Sequence, residues 1–299
     1  MPILLAACAA LLGAVAMVMQ RVALESAPHD SLSPRLIGHA VRRRAWLAGF
    51  ALLLGVFVLQ ASALRRGQLS VVQPVITTEL IFLVAILAVG FGKRIGRLEV
   101  GGILAVVTGL GTFFVSASPA EGKGFPSRQG WIVISAVSVA GALLLVLLSR
   151  VGPRWWRAAV LGAAAAILFA YNAAITKAVT TLLREGGWSR LFTSWEPYVL
   201  AVVGASGFFL VQSALHAGPI TASRITSVTV NPLLSILIGA TVFNEHLRSG
   251  GPYLALDVLA IAVLCVGLVV LTRSPLVAGV GGRADDEFLG ASPLPPPIN

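Results

Sequence analysis

Nine runs of predominantly apolar residues, each about long enough to cross a bilayer, occupy most of this sequence. A spanning helix needs about 20 such residues. With 57% hydrophobic and 11% charged residues, the composition lies far from that of soluble domains. The sequence therefore predicts an all-α polytopic protein of the lipid bilayer. The predicted spans are 2–24, 45–65, 70–92, 98–117, 129–150, 155–182, 197–217, 222–244 and 253–272.

The formal charge of +10 reflects membrane topology, because the basic residues are scattered through loops rather than clustered on one face. No nucleic-acid partner is expected. Cytoplasmic loops are enriched in Lys and Arg, which predicts an outside N-terminus and a cytoplasmic, disordered tail over 276–299. One side carries 12 such residues and the other 7: Arg35, Arg42, Arg43, Arg44, Lys93, Arg94, Arg97, Arg150, Arg154, Arg157, Arg273 and Arg283, against Arg65, Arg66, Lys123, Arg128, Arg184, Arg190 and Arg248.

Landmarks of the first half recur in the same order in the second half, which indicates an internal repeat. Each half holds four spans with one span between them, so the second copy would enter the membrane in the opposite sense. The sequence predicts one transmembrane domain over 1–275, with repeat one at 2–117, a linker helix at 129–150 and repeat two at 155–273. The matching pairs are Gln20-Arg21 with Thr176-Lys177, Ser62-Ala63-Leu64 with Ser213-Ala214-Leu215, Gln73-Pro74 with Asn231-Pro232, and Ser118-Pro119 with Ser274-Pro275.

An acidic residue near the middle of a span is a candidate for function, because ionisable groups inside hydrocarbon are costly. Glu79 lies nine residues after Ser70, or about 13 Å along a helix, which places it near mid-bilayer. We interpret it as a carboxylate that couples transport to a proton or cation. The alternative is a protonated or paired carboxylate that serves helix packing only.

Amide side chains within the spans form a second class of candidates, since an amide can both donate to and accept from a solute. They can instead connect neighbouring helices. Lys177, which matches Arg21 in the repeat, is a candidate for attracting an anion or pairing with an acid, with snorkelling as the alternative. Asp257 is interpreted as a solvated interfacial acid and Arg224 as a topology anchor. The amides are Gln60, Gln73, Asn172, Gln212 and Asn231, and Pro74 and Pro232 are candidate hinges or simple kinks.

Through several of these landmarks, the chain resembles the drug/metabolite transporter superfamily. The resemblance covers roughly residues 2–275. It rests on Asn231-Pro232, the segment from Phe243 to Leu247 that reads Phe-Asn-Glu-His-Leu, and the Gly267 helix that follows. Nine spans and the stretch from Leu69 to Pro74 look most like the branch with the NIPA-type magnesium transporters. The resemblance implies carriage of a small solute, because the superfamily transports nucleotide sugars, amino acids, drugs and metal ions.

We therefore expect a secondary transporter that moves a small organic metabolite or drug-like solute by alternating access, with proton coupling. Magnesium or another divalent cation is the alternative substrate, with Glu79, Asp257 and amide oxygens as its loose ligands. A channel or structural membrane protein is a further alternative. No motif of a catalytic site, metal centre or cofactor site is present, so an enzyme is not expected. Only 3 of 22 basic residues are Lys, which favours a GC-rich bacterium and its plasma membrane, and a homodimer is compatible with the sequence.

Overall fold

A computed structural model describes residues 1–25, 44–90, 94–120, 122, 125–248 and 250–278. Throughout this part of the chain, helices joined by short connections form the architecture. An all-helical structure is the expected result for apolar segments, because a helix satisfies its own backbone hydrogen bonds in a bilayer. The helices are α1 Pro2–Glu25, α2 Arg44–Leu64, α3 Leu69–Ile76, α4 Glu79–Gly90, α5 Arg97–Ala117, α6 Arg128–Leu148, α7 Arg154–Thr193, α8 Glu196–Ala217, α9 Ile220–Thr241, α10 Pro252–Thr272 and α11 Pro275–Ala278.

Eight spans in the described chain are long and apolar enough to cross a membrane, with α3 and α4 together forming one of them. The chain is therefore a multi-pass membrane protein. The sequence predicts nine spans, and α9 accounts for the difference. This helix has 22 residues, enough for about 33 Å, but its Thr, Ser, Asn and Arg side chains make it less apolar than the other eight. Its partners are protein helices, chiefly α7 and α3.

The span predicted at 70–92 is divided into α3 and α4 by a turn at Thr77 and Thr78. Pro74 lies inside α3 and has no N–H to donate to the preceding turn. The hydroxyl of Thr77 then donates to the Pro74 carbonyl at 2.6 Å, and that of Thr78 donates to the Val75 carbonyl at 2.7 Å. These bonds satisfy carbonyl groups at the break. Pro232 has a different effect, since α9 continues through it.

Helix α7 is longer than the predicted span 155–182 and provides most of the protein's centre. It packs against α6, α8 and α9, and its many alanines allow these close approaches. Beyond Leu182 the helix becomes exposed and continues to Thr193. Gly187, with a φ of 63°, interrupts the helical geometry in this outer part, a conformation that glycine adopts without a Cβ clash.

Helices α5 and α10 form an antiparallel pair with matching contacts at its two ends. At one end Ser274 donates to the Glu99 carboxylate at 2.7 Å, and at the other Ser116 donates to the Asp257 carboxylate. Asp257 is buried, so its interpretation as a solvated interfacial acid is wrong. It looked interfacial because it lies near the start of a span, but α5 covers that end of α10.

The segment after α10 departs from the predicted tail. Residues 276–278 belong to α11, and Leu276 and Val277 are buried against α4 and α10. Two apolar side chains at the start of a tail that is rich in Gly and Pro account for this extra turn. Residues 279–299, which hold the rest of the predicted disordered tail, lie outside the described chain.

We predict that Gly109→Ala destabilises the protein, because a Cβ at this position would lie 2.6 Å from the backbone nitrogen of Leu264. Overpacking of this kind typically costs about 1–3 kcal/mol. The measurement is the midpoint of thermal unfolding in detergent. Gly111→Ala is the matched control, since a Cβ there meets nothing within 4 Å. Equal midpoints for the two variants would contradict the close packing of α5 and α10.

Candidate functional site

Buried polar residues line the contact between α3 and α9. Here α3 begins beside the end of α9, since a Cβ on Gly239 would lie 3.2 Å from the Ser70 nitrogen. The two helices pack against each other. Gln73 follows Ser70 by three residues on α3, and Ser235 and Asn231 precede Gly239 by four and eight residues on α9. Helical spacing of three or four residues keeps each set on one side of its helix. We refer to these five residues as the α3–α9 contact.

Four polar atoms of the α3–α9 contact have no hydrogen-bond partner within the described residues. They are Ser70 Oγ, Gln73 Nε2, Asn231 Oδ1 and Ser235 Oγ. Ser70 and Ser235 are fully buried, and Gln73 is 2% exposed. A buried polar group without a partner typically costs about 1–3 kcal/mol, and most such groups in proteins bind something. The contact therefore has the hydrogen-bonding capacity to hold a small polar molecule.

The carboxylate of Glu245 holds the first turn of α3. Its Oε1 accepts from the Leu69 N–H at 2.6 Å and its Oε2 accepts from the Ser70 N–H at 3.0 Å. These donors have no partner within their own helix, and negative charge is favourable at a helix N-terminus. Gln68 precedes the helix and provides no side-chain cap. Glu245 supplies that cap from the other half of the chain.

Lys177 neutralises the same carboxylate. Its ammonium group donates to Glu245 Oε1 at 2.6 Å and lies 4.9 Å from the centre of the Phe243 ring. The Glu245 side chain is fully buried, and that of Lys177 is 17% exposed. Among the possible roles predicted for Lys177, pairing with an acid is found here, and this pair joins α7 to α3 through Glu245. The matching residue Arg21 has a side chain outside the described residues.

A folded-back turn after α9 directs Glu245 towards α3. Asn244 has a φ of 48°, a left-handed conformation that Asn tolerates better than most residues. The Glu245 N–H then returns to the Gly239 carbonyl at 2.9 Å. His246 and Ala120 exchange both backbone hydrogen bonds, at 2.9 and 3.2 Å, which fixes the turn against the end of α5. A Cβ on Gly239 would collide with Glu245 Oε2, so glycine leaves room for the carboxylate.

Glu79 opens α4 directly after the break in the span and is half-buried. Its carboxyl group lies against Gly13 of α1, where a Cβ would be 3.1 Å from the Glu79 Cδ. The guanidinium of Arg224 acts electrostatically on this carboxylate. Arg224 also donates to the sulfur of Met17 at 2.9 Å. Arg224 is thus a charge partner inside the protein, and its interpretation as a topology anchor is incomplete.

The other candidate amides lie away from the α3–α9 contact. Asn172 faces α8, since a Cβ on Gly204 would be 3.5 Å from its Oδ1, and this oxygen has no partner in the described chain. Gln60 on α2 and Gln212 on α8 are partly buried. Neither forms a hydrogen bond to α3 or α9 among the described residues. Of the predicted amides, the α3–α9 contact includes Gln73 and Asn231.

A divalent-cation site would need several oxygen ligands in one place. The described residues contain no cluster of three or more His, Cys, Asp and Glu side chains. Glu79 and Asp257, the proposed acidic ligands, have different partners: Arg224 acts on the first and Ser116 bonds to the second. No cofactor-binding arrangement is identified in this part of the chain.

Several residues of the candidate site were missed by the sequence analysis. The sequence analysis named Glu245 only within the segment that carries the family resemblance. The residue follows the predicted end of its span, where an acid is expected to be solvated. Ser70 and Ser235 gave little signal, since serine is common in membrane helices. The charge interaction between Arg224 and Glu79 joins residues 145 positions apart. Only a three-dimensional arrangement could connect them.

The fold and contacts define a helical membrane protein with buried polar groups between its two halves. Comparison with known proteins adds one relative: the chain is 28% identical over 258 residues to an uncharacterized protein of Corynebacterium glutamicum. The similarity covers 86% of this chain and 89% of that protein. No family model and no solved structure matches the chain.

We predict that Glu245→Ala destabilises the protein strongly, because it leaves Lys177 and two helix N–H groups without their acceptor. Removing one member of a buried ion pair typically costs roughly 3–5 kcal/mol. The midpoint of thermal unfolding in detergent measures the loss. Glu185→Ala is the control, since Glu185 is exposed on α7. A Glu245→Ala protein as stable as the control would show that the cap has no structural importance.

Proposed function

We propose that the chain is a secondary transporter, not an enzyme, built from two inverted repeats like the drug/metabolite transporters that its sequence resembles. The repeat is supported by reciprocal contacts between α5 and α10. Glu99 and Ser116 in α5 lie 158 residues before Asp257 in α10 and Ser274 just after α10. Each acid accepts a bond from the serine of the other segment. When each of two segments makes the same contact to the other, the segments are typically related by a two-fold axis.

Glycine packing supports the same repeat. A Cβ on Gly109 would meet the backbone of Leu264, and a Cβ on Gly267 would meet the backbone of Val106. Gly267 lies 158 positions after Gly109, and Leu264 lies 158 positions after Val106. The same separation relates Gln73-Pro74 to Asn231-Pro232. An axis in the membrane plane would therefore relate α5 to α10 and the α3–α4 span to α9.

The proposed solute site is the α3–α9 contact. The observation that carries it is the set of four buried polar atoms that have no hydrogen-bond partner among the described residues. A small polar organic molecule there would receive donors from Gln73 and the two hydroxyl groups and would find an acceptor on Asn231. The contact joins the two halves. Rocking one half against the other would expose the site to each side of the membrane in turn.

Glu79 is our candidate for proton coupling. It lies at the discontinuity of the α3–α4 span, beside α1 and within the field of Arg224. Protonation of this carboxylate would leave Arg224 without its counter-charge and so change the attraction between the two halves. A proton could in this way alter the balance between outward-open and inward-open states.

The transporter would reside in a bacterial plasma membrane, with its N-terminus outside and its C-terminus in the cytoplasm. The bacterial origin of the similar protein supports a bacterial membrane. The distribution of basic residues supports the orientation of the two termini. Magnesium transport has no specific support here, because Glu79 and Asp257 have separate partners. No contact favours a channel over a carrier.

We predict that a thermal-stabilisation screen of the purified protein yields an organic solute rather than Mg²⁺, with both tested in one plate. Gln73→Ala and Asn231→Ala should each weaken binding of that solute by about tenfold, as expected for one lost hydrogen bond. Gln212→Ala is the matched control, because this amide lies on α8 outside the contact. Stabilisation by Mg²⁺ alone, or voltage-independent conductance through the purified protein, would contradict the proposal.

We predict that Glu79→Gln separates binding from coupling, because glutamine keeps the size and hydrogen bonding of glutamate but cannot change charge. In liposomes with an imposed pH gradient, the variant should bind the solute and exchange it down a gradient. It should lose concentrative, pH-dependent uptake. Undiminished gradient-driven uptake would rule out the coupling assignment, and a fall in yield with a normal pH response would assign Glu79 to packing.

A further inference from the structure

A cavity of about 140 Å³ lies between α2 and α7, next to the Glu245 cap. Its charged lining consists of Arg65, Lys177, Arg184 and Glu185. We refer to it as the basic cavity. It lies at the end of the protein where α2 gives way to α3, which is the outer end by the distribution of basic residues.

The basic cavity has an excess of positive charge. Three cations against one carboxylate leave its lining with a net charge of +2, or +1 when Glu245 behind Lys177 is included. Arg65 and Arg184 are exposed and form no ion pair within the described chain.

Lys177 belongs both to the basic cavity and to the cap on α3. An ammonium group has three donors, and Glu245 uses one of them. The two others are available to a molecule in the cavity. Arginine guanidinium groups bind carboxylates through paired hydrogen bonds, so Arg65 and Arg184 add the geometry that an organic anion needs.

We propose that the basic cavity is an entry site for a small organic carboxylate, which competes with Glu245 for Lys177. This inference rests on the proposed function, and it deepens it by making the solute an anion. Binding transfers the Lys177 charge from Glu245 to the solute. Glu245 then holds α3 by its backbone N–H groups alone, which loosens the connection between α7 and α3 and admits the solute towards the α3–α9 contact.

The test uses malonate as the anion and malonamide as its uncharged analogue, with purified protein in detergent free of phospholipid. Malonate should raise the thermal unfolding midpoint in a saturable manner, whereas malonamide and sodium chloride at equal ionic strength should not. Arg65→Gln and Arg184→Gln should each weaken malonate binding by about tenfold. Arg66→Gln is the matched control, since Arg66 is also exposed but does not line the cavity.

Competition with Glu245 has its own test. Glu245→Gln removes the competing charge and should strengthen malonate binding by about tenfold, measured by titration calorimetry. If that variant fails to fold, the two arginine variants still decide the site. Equal effects of malonate and malonamide, or full malonate binding by Arg65→Gln and Arg184→Gln, would overturn the proposal.

A lipid headgroup could present similar anionic oxygens. Dioctanoylphosphatidylglycerol is therefore tested in a parallel arm, and stronger stabilisation by this lipid together with loss of the malonate effect would overturn the soluble-anion assignment. Uptake into liposomes separates the two proposals. Transport of a neutral solute without malonate binding refutes the anion site alone, while malonate binding without uptake of any solute supports the site and contradicts transport.

Discussion

The buried carboxylate of Glu245 is the interaction on which the arrangement of the two halves depends. The hydrocarbon of a bilayer offers no water to helix ends or charges, so the buried N-terminus of a helix requires a hydrogen-bond acceptor from elsewhere in the protein. Glu245 provides it for α3, and Lys177 compensates the charge that this requires. Removal of either residue would leave a buried charge or unbonded donors. The N-terminal end of the α3–α4 span is thus stabilised by the second half.

Charge inside the protein is balanced locally near both ends of α3, where it packs against the second half. Lys177 balances Glu245 at one end of α3, and Arg224 acts on Glu79 beyond its other end. Between them lie uncharged amides and hydroxyls. The α5–α10 pair is different in kind, because glycines bring its backbones together and leave little freedom to slide. If the halves move, α3 and its partners are the region where contacts can rearrange.

Helix positions could be predicted from the sequence because hydrophobicity and length determine them in a bilayer. The all-helical run of apolar spans followed from that reasoning, which also placed Gln73 and Asn231 inside spans. The break at Thr77 depends on how Pro74 and two threonines share hydrogen bonds. Asp257 was misread because burial depends on a neighbour distant in sequence. The acid that pairs with Lys177 could not be predicted for the same reason. A pattern of spans predicts how deep a residue lies in the bilayer, but it does not predict which helices pack together.

The unpartnered atoms of the α3–α9 contact favour a binding role over a structural one. Helices in bilayers associate well through small apolar residues, as α5 and α10 do here at Gly109 and Gly267. Four buried polar atoms that find no partner in the described part of the chain would weaken such a contact, at about 1–3 kcal/mol each. Serine and amide side chains that only joined helices would bond to one another. A contact that stabilises the protein poorly when empty, and better when a polar solute fills it, has the energetics that a carrier requires.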